Sequence, residues 1–113
     1  MPEGDCLQKI KDHLKNEFGL DDGDVKELLS EYVSNLGKIV AVAEAANAKG
    51  EFDALRKAGH SIKGIAGNMG ADEISQFGRF IEDNAMLGGG DSSKFLPAIK
   101  AIREHYEAIK SQG

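Results

Sequence analysis

Arg56-Lys57-Ala58-Gly59-His60-Ser61-Ile62-Lys63-Gly64-Ile65-Ala66-Gly67-Asn68-Met69-Gly70-Ala71 carries two patterns at once. Phe52, Leu55, Gly59, Ile62, Ala66 and Met69 recur at steps of three and four, the buried stripe of an amphipathic helix. At about 100° per residue, His60 lies roughly 130° from the centre of that stripe, and Arg56, Lys63, Gly64 and Gly67 fall within about 60° of the histidine. The outward face is therefore an imidazole with cations beside it and missing side chains after it.

A glycine in an exposed helix interior costs about 0.8–1.0 kcal/mol relative to alanine. Gly70, just past the last apolar position, suits a left-handed C-cap. Gly64 and Gly67 have no such local role, and a bald surface around one histidine predicts the close approach of something large, another protein's surface or backbone.

Working outward, the segment 5–18 places Leu7, Ile10, Leu14 and Phe18 on one face of a short helix. Gly19 and Asp21-Asp22-Gly23 break it, and Asp24 followed by Glu27 reads as an N-cap with a capping box, opening a helix over 24–49. Leu28, Tyr32, Leu36, Ile39, Ala43 and Ala46 form its stripe, broadened by Leu29, Val33 and Val40. Gly37 interrupts this helix, for which close helix packing is the expected reason. Gly50 ends it, and the histidine-bearing helix, 51–69, is expected to return antiparallel.

Ile74, Phe77, Gly78, Ile81 and Ala85 pattern a helix over 72–86, and Gly88-Gly89-Gly90 reads as a flexible loop. A last helix over 93–110 is built on Leu96, Ile99, Ile102, Tyr106 and Ile109, with Asp91, Ser92 and Ser93 as candidate caps and Pro97 in its first turn. No stretch alternates with period two. The predicted fold class is all-α, an antiparallel up-down-up-down four-helix bundle with a short additional N-terminal helix against one end. Helical repeats are disfavoured because the segments are unequal and not self-similar.

A chain of 113 residues supports one domain with one core. A formal charge of −5 argues against a phosphate-backbone binder, so no nucleic acid is expected. Cys6 is the one cysteine, which excludes an intramolecular disulfide and CxxC chemistry. The charged start shows no secretion signal, and no apolar stretch reaches the roughly 18–20 residues that span a bilayer. These features predict a cytoplasmic, monomeric protein without membrane contact, and the Met-Pro start fits a free-standing chain. His13 with Glu17 has metal-compatible spacing but lacks further ligands, so no metal is expected. His13 and His105 read as surface residues, and Phe80, about 115° off its core face, as either packed by the N-terminal helix or exposed to a partner.

A neutral histidine is nucleophilic, and its ordinary pKa near 6.5 leaves much of it neutral at cytoplasmic pH. Phosphoryl transfer spreads negative charge over three oxygens, for which Lys63, one turn on, is an electrostatic partner. An acceptor for the second ring nitrogen would present the first to phosphorus. Glu82, about 85° from the centre of its helix's apolar face, is the candidate.

His60-Ser61-Ile62-Lys63-Gly64, continued by Ala66-Gly67-Asn68-Met69-Gly70-Ala71 and then Ile81-Glu82, resembles the signature of histidine-containing phosphotransfer (HPt) domains. The resemblance implies a four-helix bundle whose exposed His60 accepts a phosphoryl group on Nε2 from a receiver-domain aspartate or a kinase and passes it to another receiver. It further implies Lys63 as support for the phosphoryl oxygens, Gly64 as clearance for the receiver and Glu82 as the orienter of the imidazole. Gly59, where alanine is usual, and Ile65, where small residues are common, depart from the pattern, and Ile65 bears on partner choice. Arg56, Lys57, Gly67, Asn68 and Arg79 are expected at the docking surface, with Ser75, Gly78 and Met86 on its rim.

No nucleotide loop of the P-loop type and no kinase signature occurs, so a phosphocarrier rather than an enzyme is expected. It would need no cofactor of its own, and Mg²⁺ would come from the partner, a response-regulator receiver or hybrid histidine kinase. The alternatives are a helical interaction module that binds without accepting phosphate, and a phosphotransfer domain cut from a larger histidine kinase.

Overall fold

The structure, a computed structural model, describes residues 3–86 and 91–112. The described residues are helical almost throughout, with no strand among them: α1 (Glu3–Phe18), α2 (Asp22–Lys49), α3 (Phe52–Asn68), α4 (Asp72–Met86), a short 3-10 turn (Ser92–Phe95) and α5 (Leu96–Gln112). The expected glycine loop, Gly88-Gly89-Gly90, lies outside the described residues. α2 packs against α3 and α5, and α4 against the same two helices, so four long helices close a ring around one core.

Glycines set the reversals. Gly50 adopts φ 69° and Gly70 φ 75°, left-handed conformations that L side chains rarely adopt, and Gly50 donates its N–H to the α2 carbonyls of Ala46 and Asn47. α2 begins earlier than the expected cap at Asp24. Asp21, in extended backbone, accepts the Asp24 N–H at 2.8 Å, because a cap's carboxylate reaches the N–H three residues on and Asp21 is the residue so placed. The last helix is likewise displaced: Asp91 accepts from the Ser93 N–H at 2.9 Å and opens the 3-10 turn, with Pro97 following in the first turn of α5.

The core takes the predicted stripes. Leu36, Val40, Leu55, Ile62, Ile81 and Ile102 are all 0% exposed, and each side chain of this kind contributes about 1.5–3 kcal/mol by burial. α1 joins this core through Ile10 and Leu14. Its His13 is half-buried, lying so close to Gly70 that a Cβ there would meet its ring at 2.6 Å, which corrects its reading as a surface residue. Gly37 has the expected packing role: a Cβ there would fall 2.7 Å from the ring of Tyr106 on α5.

His105 is the larger correction. It is only 5% exposed, and its Nε2 meets the Tyr32 hydroxyl at 2.8 Å. It lies three residues after Ile102 and four before Ile109, squarely on the core face, whereas Tyr106 is half-buried against Gly37. Burial pushes its pKa down to about 4. Phe80, 41% exposed, meets the edge of Phe95 at 6.3 Å, so the 3-10 turn rather than α1 is its aromatic neighbour.

Candidate functional site

α3 and α4 cross at two glycines. A Cβ on Gly59 would lie 2.8 Å from both the Glu82 N and the Gly78 carbonyl, and one on Gly78 would lie 2.6 Å from the Lys63 N. Both glycines stand on apolar stripes, and their missing side chains let the two backbones touch. Ser75 adds a tie, its hydroxyl donating to the Lys63 carbonyl at 2.8 Å. Gly78 and Ser75 therefore lie inside the crossing rather than on the expected rim.

The crossing brings three predicted residues together. Glu82 Oε2 is 2.8 Å from His60 Nδ1, and Oε1 is 2.8 Å from Lys63 Nζ. The lysine contact closes an ion pair on the second carboxylate oxygen. Lys63 beside the carboxyl is the main influence holding the Glu82 pKa below its ordinary value, opposed by burial and reinforced by the hydrogen bond from His60. Glu82 is thus an anion at neutral pH.

A carboxylate only accepts hydrogen bonds, so His60 Nδ1 carries the proton. In the neutral ring the lone pair is then on Nε2. The His60 side chain is 65% exposed and that of Glu82 only 13%, so the orienting group is sheltered while the ring it orients meets solvent.

On its α2 side, His60 opens onto a groove of about 460 Å³ lined also by Ser61, Gly64, Ile65 and Asn68 of α3 and by Asn35, Lys38 and Ile39 of α2. A Cβ on Gly64 would meet nothing within 4 Å, whereas one on Gly67 would just touch Ser75 Oγ at 3.4 Å. Gly64 is open space. The cations expected at the docking surface are held within their own helices: Arg56 and Lys57 each approach Asp53 at 3.3 Å, and Arg79 approaches Asp83 at 3.6 Å. None of these three lines the groove.

The α2 residues of the groove were missed by the sequence reading. Their signal was the reversal at Gly50, which lays the middle of α2 alongside the middle of α3. Among the described residues no group of three or more His, Cys, Asp or Glu side chains could hold a metal ion, and no helix is long and apolar enough to cross a membrane.

Comparison with curated proteins and with solved structures gave no match. A family model described as the Hpt domain matches residues 27–112, a span that contains His60, Lys63 and Glu82 and leaves α1 outside. The chain belongs to the Hpt domain family, whose members are phosphocarriers in the histidine phosphotransfer of two-component signalling.

Proposed function

We propose that the protein is a cytoplasmic phosphorelay carrier, an up-down-up-down bundle on which His60 is the phospho-acceptor. The observation that carries this reading is the 2.8 Å contact between His60 Nδ1 and Glu82 Oε2, which commits the ring proton to Nδ1 and leaves the exposed Nε2 with its lone pair. Nε2 attacks the phosphorus of a receiver's aspartyl phosphate. A P–N bond forms, the P–O bond to the carboxylate breaks, and the aspartate leaves with the electron pair. The proton on Nδ1 stays, and Glu82 stabilises the positive charge that the ring acquires. Transfer to the next receiver is the same step reversed.

Lys63, held beside the ring by its ion pair with Glu82, turns its ammonium from that carboxylate to the phosphoryl oxygens. Gly64 provides the clearance that lets a receiver come down on the ring. Mg²⁺ belongs to the receiver in this scheme. The open groove beside His60, with Ile39 and Ile65 on its walls and Lys38 and Asn68 at its edges, offers the receiver a mostly apolar seat on the α2 side.

Incubation with a phosphorylated receiver labels the chain with phosphate that is acid-labile and alkali-stable, and His60→Gln takes up none. Equal labelling of His60→Gln sinks the assignment. Binding of the receiver without label transfer favours the interaction-module reading instead.

A further inference from the structure

We infer that Gly59 and Gly78 are positioning residues for the phosphotransfer, setting which nitrogen of His60 carries the proton. This rests on His60 being the acceptor, and it assigns a role to residues outside the His60–Lys63–Glu82 cluster.

The argument is one of reach. Gly59 immediately precedes His60, and Gly78 lies one helical turn before Glu82. The two nearest atoms that a Gly78 Cβ would meet are the Lys63 N at 2.6 Å and the Gly59 carbonyl at 2.9 Å, with Ile62 Cγ2 next at 3.1 Å; for Gly59 the nearest are the Glu82 N and the Gly78 carbonyl, at 2.8 Å each. The nearest in both cases are backbone atoms of the helices that carry the site, so no side-chain rotation relieves the clash. Alanine at either place pushes α3 and α4 apart by somewhat under an ångström.

Glu82 has no slack for that movement. Its two oxygens already reach His60 and Lys63 at 2.8 Å each, and widening the gap takes the imidazole contact beyond hydrogen-bond distance. Without its acceptor, Nδ1–H is no longer favoured. The proton then moves to Nε2, where it occupies the lone pair that attacks phosphorus.

Ordinary packing glycines make a different prediction, and Gly37 supplies the control. A Cβ there also collides, but with the Tyr106 ring on the α2–α5 side, away from Glu82. Gly37→Ala should therefore displace the Tyr106 ring and leave His60 unchanged.

The test compares the wild-type chain, Gly78→Ala, Gly37→Ala and Ser75→Ala by nitrogen-detected NMR of the histidine rings and by labelling with phosphoramidate, a small phosphoryl donor that needs no docking. Wild type is expected to show His60 protonated at Nδ1. Gly78→Ala is expected to shift His60 toward the Nε2–H form and to be labelled more slowly by about tenfold or more. Ser75→Ala, which removes only the tie to the Lys63 carbonyl, is expected to move the same signals by less, and it decides the matter if Gly78→Ala does not fold. A folded Gly78→Ala with the wild-type tautomer and labelling rate overturns the inference, as does Ser75→Ala with an unmoved ring where Gly78→Ala is unfolded. Failure of phosphoramidate to label wild-type His60 would sink the acceptor reading instead, leaving the tautomer result to stand or fall by itself.

Discussion

Two interfaces of this bundle are each built around a glycine and a histidine, to opposite ends. On the α3–α4 side, Gly59 and Gly78 bring backbone against backbone, and His60 stands exposed with a carboxylate on one nitrogen. On the α2–α5 side, Gly37 admits the ring of Tyr106, and His105 is buried with the Tyr32 hydroxyl on its Nε2. The first histidine is fixed on one side and presented on the other. The second is enclosed, and its proton chemistry is suppressed by burial. Histidine alone therefore says little about reactivity; what differs is whether the ordering partner is charged and which nitrogen is left outward.

The strongest way to break the comparison is to exchange the roles of the two rings. His105→Gln, which keeps a polar partner near Tyr32, is expected to take phosphate from a phosphorylated receiver at the wild-type rate, whereas His60→Gln loses all label. Residual phosphohistidine in His60→Gln, mapped to His105 by mass spectrometry, would erase the distinction.

Acid titration sharpens it next. Unfolded His105 titrates near 6.5, whereas burial holds the folded group to about 4, so the unfolded chain binds the proton first. The stability due to a neutral His105 is fully present above pH 6.5 and declines as pH falls toward 4, with a loss on the order of 2 kcal/mol by pH 5. The lowered pKa of Glu82 adds its own loss only below its ordinary value of 4.5. Urea denaturation at pH 7 and pH 5 measures the difference, which His105→Gln should largely remove. Equal stability of wild type at the two pH values contradicts the burial account.

The glycines give the smaller effects. Gly37→Ala meets the outer end of the half-buried Tyr106 ring, which can turn aside, so its cost is largely offset by the gain in helix propensity and the net change should stay within about 1 kcal/mol. Gly64→Ala meets open space and should stabilise by roughly 0.5–1 kcal/mol, raising Tm by a few degrees. Thermal unfolding of the pair checks both, with Gly64→Ala the more stable. A fall in Tm for Gly64→Ala would mean that the site is structural after all.

Much of this was legible because it is periodic. The stripe through Leu55, Ile62 and Ala66 announces α3, and Gly50 and Gly70 mark turns whose backbone only glycine adopts readily. Helix faces make Glu82 a candidate partner for His60 and Lys63, and the family resemblance rather than the faces carries the cluster. Other features escaped for physical reasons. Gly59 and Gly78 read as gaps in apolar stripes, because a sequence does not show that an absent side chain is filled by a neighbouring backbone. His105 is hidden because its neighbour Tyr106 completes the apolar stripe equally well in the sequence. Asn35, Lys38 and Ile39 lie on a helix with no motif, and only tertiary packing brings them beside His60.

Gly64 carries a consequence for protein engineering. Because none of the described residues occupies the space above it, a selection for heat resistance would favour replacing it, and the replacement would look harmless by every test made on the isolated protein. If Gly64 gives a receiver its clearance, as proposed above, the lost capacity would emerge only in the presence of that receiver. A screen for improved variants of this protein must therefore include the second molecule from its first round.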